Sequence, residues 1–250
     1  MTYDRHAVRA LTLADNFAWL RSFGCTIEER AGMTLIDHPL LPEYEAWLFT
    51  RASQEAVAQL RRVASSGAEG IHTIYIDDDI ATDEVRDIVS GARCDGRNVT
   101  VATQLAMRGW TSPVTLQAAK ADEWAAWADL YSRGFARHEL AEVDRIRWRL
   151  AFSAQNVEHW FFVDGGERTG VCQTTSGPLH GIYSFTLLPE ARGVRAAFHA
   201  LRALLGHLAG QPSRWIYFEV LNQSPLARTR VQPVIGLKRV RSLTGYTLQG

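Results

Sequence analysis

The most informative part of this chain reads His180-Gly-Ile-Tyr-Ser-Phe-Thr-Leu-Leu-Pro-Glu-Ala-Arg-Gly-Val-Arg-Ala-Ala-Phe198. An apolar strand at 182–187 runs through Pro189 into a basic turn, and a helix continues to about Ala209. Its apolar residues recur at helical spacing: Val194, Ala197, Phe198, Leu201, Leu204, Leu205 and Leu208. A strand that turns through glycine into a helix directs unpaired backbone N–H groups and a positive dipole end at one place. The sequence therefore predicts a phosphate or pyrophosphate site there.

The elements after this turn extend the pattern into a family resemblance. A strand at 214–221, a short helical piece and a last strand follow the helix, and in this order the chain resembles the acyl-CoA-binding half of the GNAT (Gcn5-related N-acetyltransferase) superfamily. The resemblance covers about 113–250. The matching positions are Leu187-x-Pro189, Arg192-Gly193 with Ala197, Glu219-Val-Leu-Asn222, Ala227 and Gly236-Leu237.

The resemblance implies an acyltransferase whose cofactor is acetyl-CoA or another acyl-CoA. It implies cofactor contacts from Leu187, Leu188, Arg192, Gly193, Val194, Arg195, Ala196, Ala197 and Asn222. Arginine side chains suit such a site because they bind phosphate oxygens in a bidentate fork. The acceptor implied is a small-molecule amine.

Two positions depart from the family pattern. Arg195 stands where a glycine of the pyrophosphate loop belongs, and Gln232 stands where the family has a tyrosine. An amide cannot protonate a departing thiolate. The alternative interpretation is therefore a catalytically altered GNAT-like protein that binds CoA, another ligand or a partner without acetylating an amine.

Composition excludes several other classes. Apolar residues make up 46% and charged residues 22% of the 250 residues, as in a globular protein, and 27 basic residues balance 27 acidic ones. Neither nucleic acid nor a membrane is an expected partner, because no basic stripe and no apolar run of about 20 residues occurs. Three cysteines without a C-x-x-C pair favour reduced thiols in the cytoplasm. We expect no metal site, and a monomer or a homodimer.

The order of elements predicts two units of α/β class, each with a mixed sheet. The boundary is expected in the linker-like run 108–113, giving a degenerate GNAT-like domain over 1–110 and an acyl-CoA-binding domain over 111–250. The first-half junction, 49–57, lacks glycine and carries Glu55 in the first helical turn, where a carboxylate repels phosphate. We therefore expect no CoA in the first unit. Other expectations are a helix over 12–24 capped by Thr12, a helix capped by Ser53, and a turn at 94–97.

Three residues are candidates for catalysis. Glu219 alternates with apolar neighbours on its strand, and a carboxylate in such surroundings suits a general base; a glutamate paired with a nearby arginine is the other interpretation. Tyr183 and Ser184 lie on the central strand beside the expected thioester, where a core tyrosine and a pleat serine are the simpler interpretations.

Substrate recognition is predicted from one loop and one helix. Arg137, His138 and Glu139 lie between two predicted helices, where a polar loop is also an ordinary finding. Trp148 falls outside the apolar stripe of Val143, Ile146 and Leu150, so it is expected to line a pocket.

Overall fold

The structure is a computed structural model that describes residues 4–40, 45–65, 72–104, 111–135, 142–211, 215–221 and 237–248. The helices are α1 (Arg5–Ser22), α2 (Gln54–Ser65), α3 (Asp83–Ile88), α4 (Trp124–Gly134), α5 (Glu142–Ser153) and α6 (Val194–Leu208). The strands are β1 (Thr26–Arg30), β2 (Met33–Asp37), β3 (Ala46–Phe49), β4 (His72–Asp77), β5 (Arg93–Gln104), β6 (Thr115–Ala118), β7 (Val157–Asp164), β8 (Glu167–Thr175), β9 (His180–Leu187), β10 (Trp215–Leu221) and β11 (Lys238–Leu248).

Contacts group the chain into two compact units that do not follow the sequence order. The α6 unit consists of Met1–Phe23 and Ala102–Phe218, and the α2 unit consists of Gly24–Val101 and Glu219–Gly250. The boundary predicted between residues 110 and 111 does not coincide with the boundaries of these units, because each terminal segment packs with the other half of the chain. Helix α1 contacts β9 and α5, whereas β11 pairs with β4.

The sheet of the α6 unit has the strand order β10-β9-β8-β7-β6. β9 pairs with β8 antiparallel and with β10 parallel. The register of β8 and β9 shifts between the pairs Val171↔Thr186 and Gln173↔Tyr183, so two residues of β9 lie opposite Cys172. Val171 and Gln173 are two apart and share a face, so this bulge brings Thr186 and Tyr183 to that same face.

Aromatic side chains dominate the core of the α6 unit. The buried residues of this core are Phe23, Trp127, Ala128, Leu130, Trp148, Ala151, Phe161, Val171 and Leu188. Helix α6 buries Ala200, Leu201, Leu204, Leu205 and Leu208. The first part of its predicted apolar stripe differs, because Val194 is 87% exposed and Phe198 is 38% exposed. The stripe is therefore buried only from the second turn of the helix onward.

The α2 unit repeats the central motif of the α6 unit. Its strands follow the order β1-β2-β3-β4-β11-β5. Helix α2 connects the parallel strands β3 and β4, as α6 connects the parallel strands β9 and β10. Helix α2 packs Ala56, Leu60 and Val63 into a core with the two strands. The prediction of two α/β units with mixed sheets is confirmed.

Three local predictions were wrong. Helix α1 begins at Arg5, capped by Asp4, and Thr12 is a buried mid-helix residue whose hydroxyl donates to the Arg9 carbonyl. Residues 94–97 lie within strand β5 rather than in a turn. Helix α5 buries Arg147 and Trp148 and exposes Ile146 and Leu150. The apolar pattern misled there because Arg147 is buried through an ion pair with Asp144, 3.0 Å away, and contacts with aromatic rings.

Candidate acyl-CoA site

The side chain of one arginine stabilises the turn between β9 and α6 through hydrogen bonds to backbone carbonyls. Leu187 and Leu188 are buried at the end of the strand, and a single turn of 3-10 helix, Pro189–Ala191, follows. The Arg192 Nε donates to the Leu187 carbonyl over 3.1 Å, and its Nη2 donates to the Gly134 carbonyl at the end of α4. Arg192 therefore ties the strand end to helix α4 and still has N–H groups on its Nη1.

Gly193 gives α6 a beginning that no side chain caps. Its φ of 154° and ψ of 160° are values that only glycine adopts without strain, and an added Cβ would meet no atom within 4 Å. The first turn of the helix contains no acidic residue, and its N-cap, Gly193, makes no side-chain capping bond. A helix end without a side-chain cap or an acidic residue is of the kind that suits an anion.

A pocket of about 420 Å³ lies against this helix end. Its lining residues are Gly134, Phe135, Phe185, Thr186, Leu187, Arg192, Gly193 and Ala197. Gly134 is required for the close approach of α4 to β9, since a Cβ there would come within 2.5 Å of the Thr186 side chain. Backbone donors, one arginine and an apolar wall thus meet in one cavity, which suits a phosphate joined to a less polar arm.

The structure brings together four of the nine predicted cofactor residues in this pocket: Leu187, Arg192, Gly193 and Ala197. Leu188 packs in the core, and the side chains of Val194 and Arg195 are exposed beside the turn. The sequence interpretation missed Gly134, Phe135, Phe185 and Thr186. Gly134 ends a helix and is followed by an aromatic residue, and nothing in this local sequence indicates that it contacts strand β9.

Arg195 lies on the exposed first turn of α6. Its Nε donates to the Nε2 of His199 over 3.4 Å, as expected of residues one turn apart. The Arg202 guanidinium lies 5.7 Å from the centre of the Phe198 ring. Arg195 therefore lies in the first turn of this helix, where the helix dipole disfavours positive charge.

Ser184 occupies the bulge of β9 in a left-handed conformation, with φ of 52°. Its hydroxyl donates to the Oε1 of the buried Gln173 over 2.9 Å. The same Oε1 accepts from the Trp19 Nε1 at 3.2 Å, and the Gln173 Nε2 lies 2.8 Å from the Nε2 of His159. Burial lowers the pKa of His159 to about 3, so this imidazole is neutral near pH 7.

Tyr183 belongs to a second polar cluster on the same face of the sheet. The Oδ2 of Asp15 accepts from Tyr183 (3.1 Å), Tyr217 (2.7 Å) and Thr175 (2.6 Å). The two tyrosine hydroxyl oxygens also lie within hydrogen-bond distance of each other, and Trp19 stacks on the Tyr183 ring at 4.2 Å. Burial, together with the neighbouring Tyr183 and Asp15, raises the pKa of Tyr217. The cluster fastens α1 to the sheet.

Glu219 lies in the α2 unit, in the surroundings of a paired carboxylate. Its Oε1 accepts from the buried Arg241 at 3.0 Å and from the Thr100 hydroxyl at 3.2 Å. These contacts match the interpretation of Glu219 as a glutamate paired with an arginine. Its role as general base stays a prediction.

Of the predicted substrate-binding residues, Trp148 lies in the core and the other three lie outside the described residues. Trp148 is 1% exposed, with its ring 4.8 Å from that of Trp127. The structure therefore places Trp148 in the core and not on a pocket wall. The prediction was wrong because it assigned the buried face of α5 to the wrong residues. Arg137, His138, Glu139 and Asn222 lie outside the described residues, as does Gln232.

The described residues contain no candidate membrane span and no candidate metal site. No helix among them is both long enough and apolar enough to span a bilayer. In the same residues, no three histidine, cysteine or acidic side chains cluster in a way that would hold a metal ion.

The corresponding helix end in the α2 unit is closed. The Ser53 hydroxyl accepts from the Ala56 N–H over 3.1 Å, and Glu55 lies in the first turn of α2. The turn between β1 and β2 covers this end, because a Cβ on Gly32 would lie 3.0 Å from the Ser53 hydroxyl and 3.1 Å from the Ala56 nitrogen. The predicted Ser53 cap is thus confirmed.

Comparison with solved structures assigns the fold. The molecule is an α/β protein of two units, one of which has a pocket at an uncapped strand-to-helix turn. It has the GNAT fold, and it is similar to a GCN5-related N-acetyltransferase from Kribbella flavida, with a TM-score of 0.63 and 12% identity over 97% of this chain and 95% of that one. A GCN5-related N-acetyltransferase from Sphaerobacter thermophilus gives a TM-score of 0.58 and 14% identity over 88% of this chain and 81% of that one.

A tandem arrangement is also represented among these structures. A tandem GNAT protein from the clavulanic acid biosynthesis pathway gives a TM-score of 0.54 and 15% identity, covering 86% of this chain and 77% of that one. No protein-family model matches the chain, and a search of curated proteins finds no match either. At these identities the likeness establishes the fold, including its resemblance to a tandem GNAT protein.

Proposed function

We propose that this protein is an acyl-CoA-dependent N-acyltransferase that uses acetyl-CoA to acylate a small-molecule amine. One observation carries the proposal: the pocket at the end of β9 opens onto the uncapped first turn of α6, in a chain with the GNAT fold. The acyl-CoA supplies the acyl thioester, from which an amine displaces CoA to give an amide, and the proton that nitrogen loses balances the one that sulfur gains.

The residues of the pocket divide the work of holding acyl-CoA. Backbone N–H groups of the first turn of α6 receive the pyrophosphate, since the N-cap Gly193 provides no side chain to cap them. The Nη1 of Arg192, which the Leu187 and Gly134 carbonyls leave available, adds a charged donor. Phe135, Phe185 and Leu187 provide the apolar wall along which the pantetheine arm leaves the phosphates.

Strand β9 prepares the place where charge develops. It pairs with β10 over His180–Ile182, and from Tyr183 onward its described pairing is with β8. Among the described residues no strand pairs with the other edge of this segment, and in this proposal its backbone N–H groups there stabilise negative charge on the thioester carbonyl oxygen. Fixed donors of this kind act without reorganisation during the reaction.

The α2 unit has no acyl-CoA site in this proposal. Ser53 occupies a first-turn donor, Glu55 repels phosphate, and the β1–β2 turn fills the space before the helix. Its role is structural or in the binding of the amine.

The proposal is tested by thiol release from acetyl-CoA in the presence of a panel of amines, from aliphatic monoamines and diamines to aromatic amines and amino sugars. We expect amine-dependent release with at least one class and formation of the matching amide by mass spectrometry. If acetyl-CoA binds but no amine gives thiol release, the alternative gains support, namely a GNAT-like protein that binds CoA without transfer. Arg195 and Gln232, the departures from the family pattern, favour that alternative.

A further inference from the structure

Ser184 lies between the proposed acyl-CoA pocket and the buried polar groups under α1. Its neighbours Phe185 and Thr186 line the pocket, and its side chain is partly exposed. Only two non-glycine residues of the described chain have positive φ, namely Ala31 and Ser184. A strained backbone at the bulge of the central strand is an observation that points to a function.

The direction of the hydrogen bonds around Ser184 follows from the chemistry of its partners. An indole N–H is a donor only, so the Gln173 atom that faces Trp19 at 3.2 Å must be the carbonyl oxygen. The amide nitrogen of Gln173 then faces His159 at 2.8 Å, and the neutral imidazole accepts from it. Since Ser184 contacts that same carbonyl oxygen, its hydroxyl has to be the donor.

This arrangement restricts what Ser184 is able to do. Its single hydrogen is committed to Gln173, so it cannot protonate a leaving thiolate or donate to a thioester oxygen. It is also not an activated nucleophile, because an amide oxygen is not a base for its proton. Two lone pairs remain, and no described residue donates to them.

We infer that Ser184 is the hydrogen-bond acceptor that orients the attacking amine, with Gln173 as its positioning residue. This inference rests on the proposed transfer reaction. One N–H of the neutral amine donates to the Ser184 oxygen, which leaves the nitrogen lone pair directed away from the serine and toward the thioester. Gln173 holds the serine hydrogen out of the way, and Trp19 and His159 fix the orientation of Gln173.

The test compares Ser184→Ala with Ser184→Gly, using the amine that the wild-type protein acylates best. Both variants remove the acceptor, and we expect each to lower kcat/KM for the amine by about tenfold while the Kd for acetyl-CoA is unchanged. Ser184→Gly also relieves the left-handed strain, so it should melt about 2–4 °C above Ser184→Ala. Ser90→Ala, an exposed serine outside the pocket, is the control for the loss of a hydroxyl.

Gln173 supplies a separate test of positioning. Gln173→Leu frees the serine hydroxyl to rotate and should raise the KM for the amine. Gln173→Glu should recover part of that loss, because a carboxylate still accepts from both Ser184 and Trp19, although it cannot donate to His159 as the amide does. If Gln173 had only a structural role, Gln173→Glu would not recover activity, because it places a charged carboxylate in a buried position. Unchanged binding of acetyl-CoA confirms that each variant is folded.

Three outcomes would overturn the inference. Unchanged amine kinetics in both Ser184 variants would refute it and leave the proposed function intact. A weaker Kd for acetyl-CoA with unchanged amine kinetics would assign Ser184 to the acyl-CoA arm. If the wild-type protein binds acetyl-CoA and releases no thiol with any amine, the proposed function and this inference fall together.

Discussion

The two strand–helix–strand crossovers of this molecule have the same topology and differ at the start of the helix. In both, a strand leads into a helix and then into a parallel neighbour: β3, α2 and β4 in one unit, β9, α6 and β10 in the other. The helix α2 begins with a serine cap and an acidic residue, whereas α6 begins with Gly193 and has neither. The same topology therefore carries the proposed anion site in one unit and a closed helix end in the other, since function belongs to the site and not to the fold.

The largest effect is expected at Gly193, which directly precedes α6, and it is compared with Gly32, which lies in the β1–β2 turn against the start of α2. Gly193→Ala imposes a side chain on a backbone that only glycine adopts, so we expect a loss of about 1–3 kcal/mol in stability and at least about a tenfold weaker Kd for acetyl-CoA. Gly32→Ala is the matched control, since it strains the corresponding place in the α2 unit. It should lower the melting temperature and leave the Kd unchanged. Equal weakening of binding by both variants would break the comparison.

Arg192→Ala should have the next largest effect. It removes two bonds to backbone carbonyls and one charged donor, so we expect acetyl-CoA affinity to fall by about 1–2 kcal/mol, together with a smaller loss of stability. Arg192→Lys keeps the charge but cannot hold both carbonyls. Calorimetry on the pair separates the two contributions. Wild-type affinity in Arg192→Ala would show that this residue serves the turn alone.

Ser53→Ala sharpens the comparison from the closed side. Loss of the cap should lower the free energy of unfolding by about 1 kcal/mol and create no second binding site, because the β1–β2 turn still covers α2. Chemical denaturation measures the first effect and calorimetric stoichiometry the second. Thr82→Ala, which removes the cap of α3 in the same unit, is the control. A new site for acetyl-CoA in Ser53→Ala would mean that the cap alone closes this helix end.

Arg195→Gly is expected to have the smallest effect. Arg195 is exposed and bonds only weakly to His199, so the loss of acetyl-CoA affinity should be below about 1 kcal/mol and should shrink as salt is raised. Titrations at low and high ionic strength measure this. Equal or tighter binding at low salt would indicate that the arginine obstructs the turn, as a glycine at this family position suggests.

The sequence was most informative where the determinants are local. Gly193, the basic turn and the buried part of the α6 stripe lie within about 20 residues, and the Ser53 cap lies within four residues of its partner. Such features depend on backbone geometry and periodicity, which the sequence shows directly. The Thr12 cap failed for a related reason, since Asp4 provides a stronger cap upstream.

The remainder of the site depends on contacts between distant residues. Gly134 meets Thr186 across 52 positions, and Trp19 meets Gln173 across 154 positions. Helix α5 was assigned the wrong buried face because Arg147 is charged. Besides its ion pair with Asp144 on the same helix, its guanidinium lies 5.8 Å from the ring centre of Phe23 and 5.9 Å from that of Tyr131, which are distant in sequence. The side chains that fix Ser184 were likewise invisible in the sequence, although Ser184 itself was a candidate.

The central claim is that the open end of α6 binds one acyl-CoA and that the closed end of α2 binds none. Isothermal titration of the wild-type protein with acetyl-CoA, in parallel with Gly193→Ala, tests it most directly. The account predicts one site per chain, with binding that weakens in Gly193→Ala and as ionic strength rises. Two sites per chain, or no heat of binding at high micromolar acetyl-CoA, would contradict it.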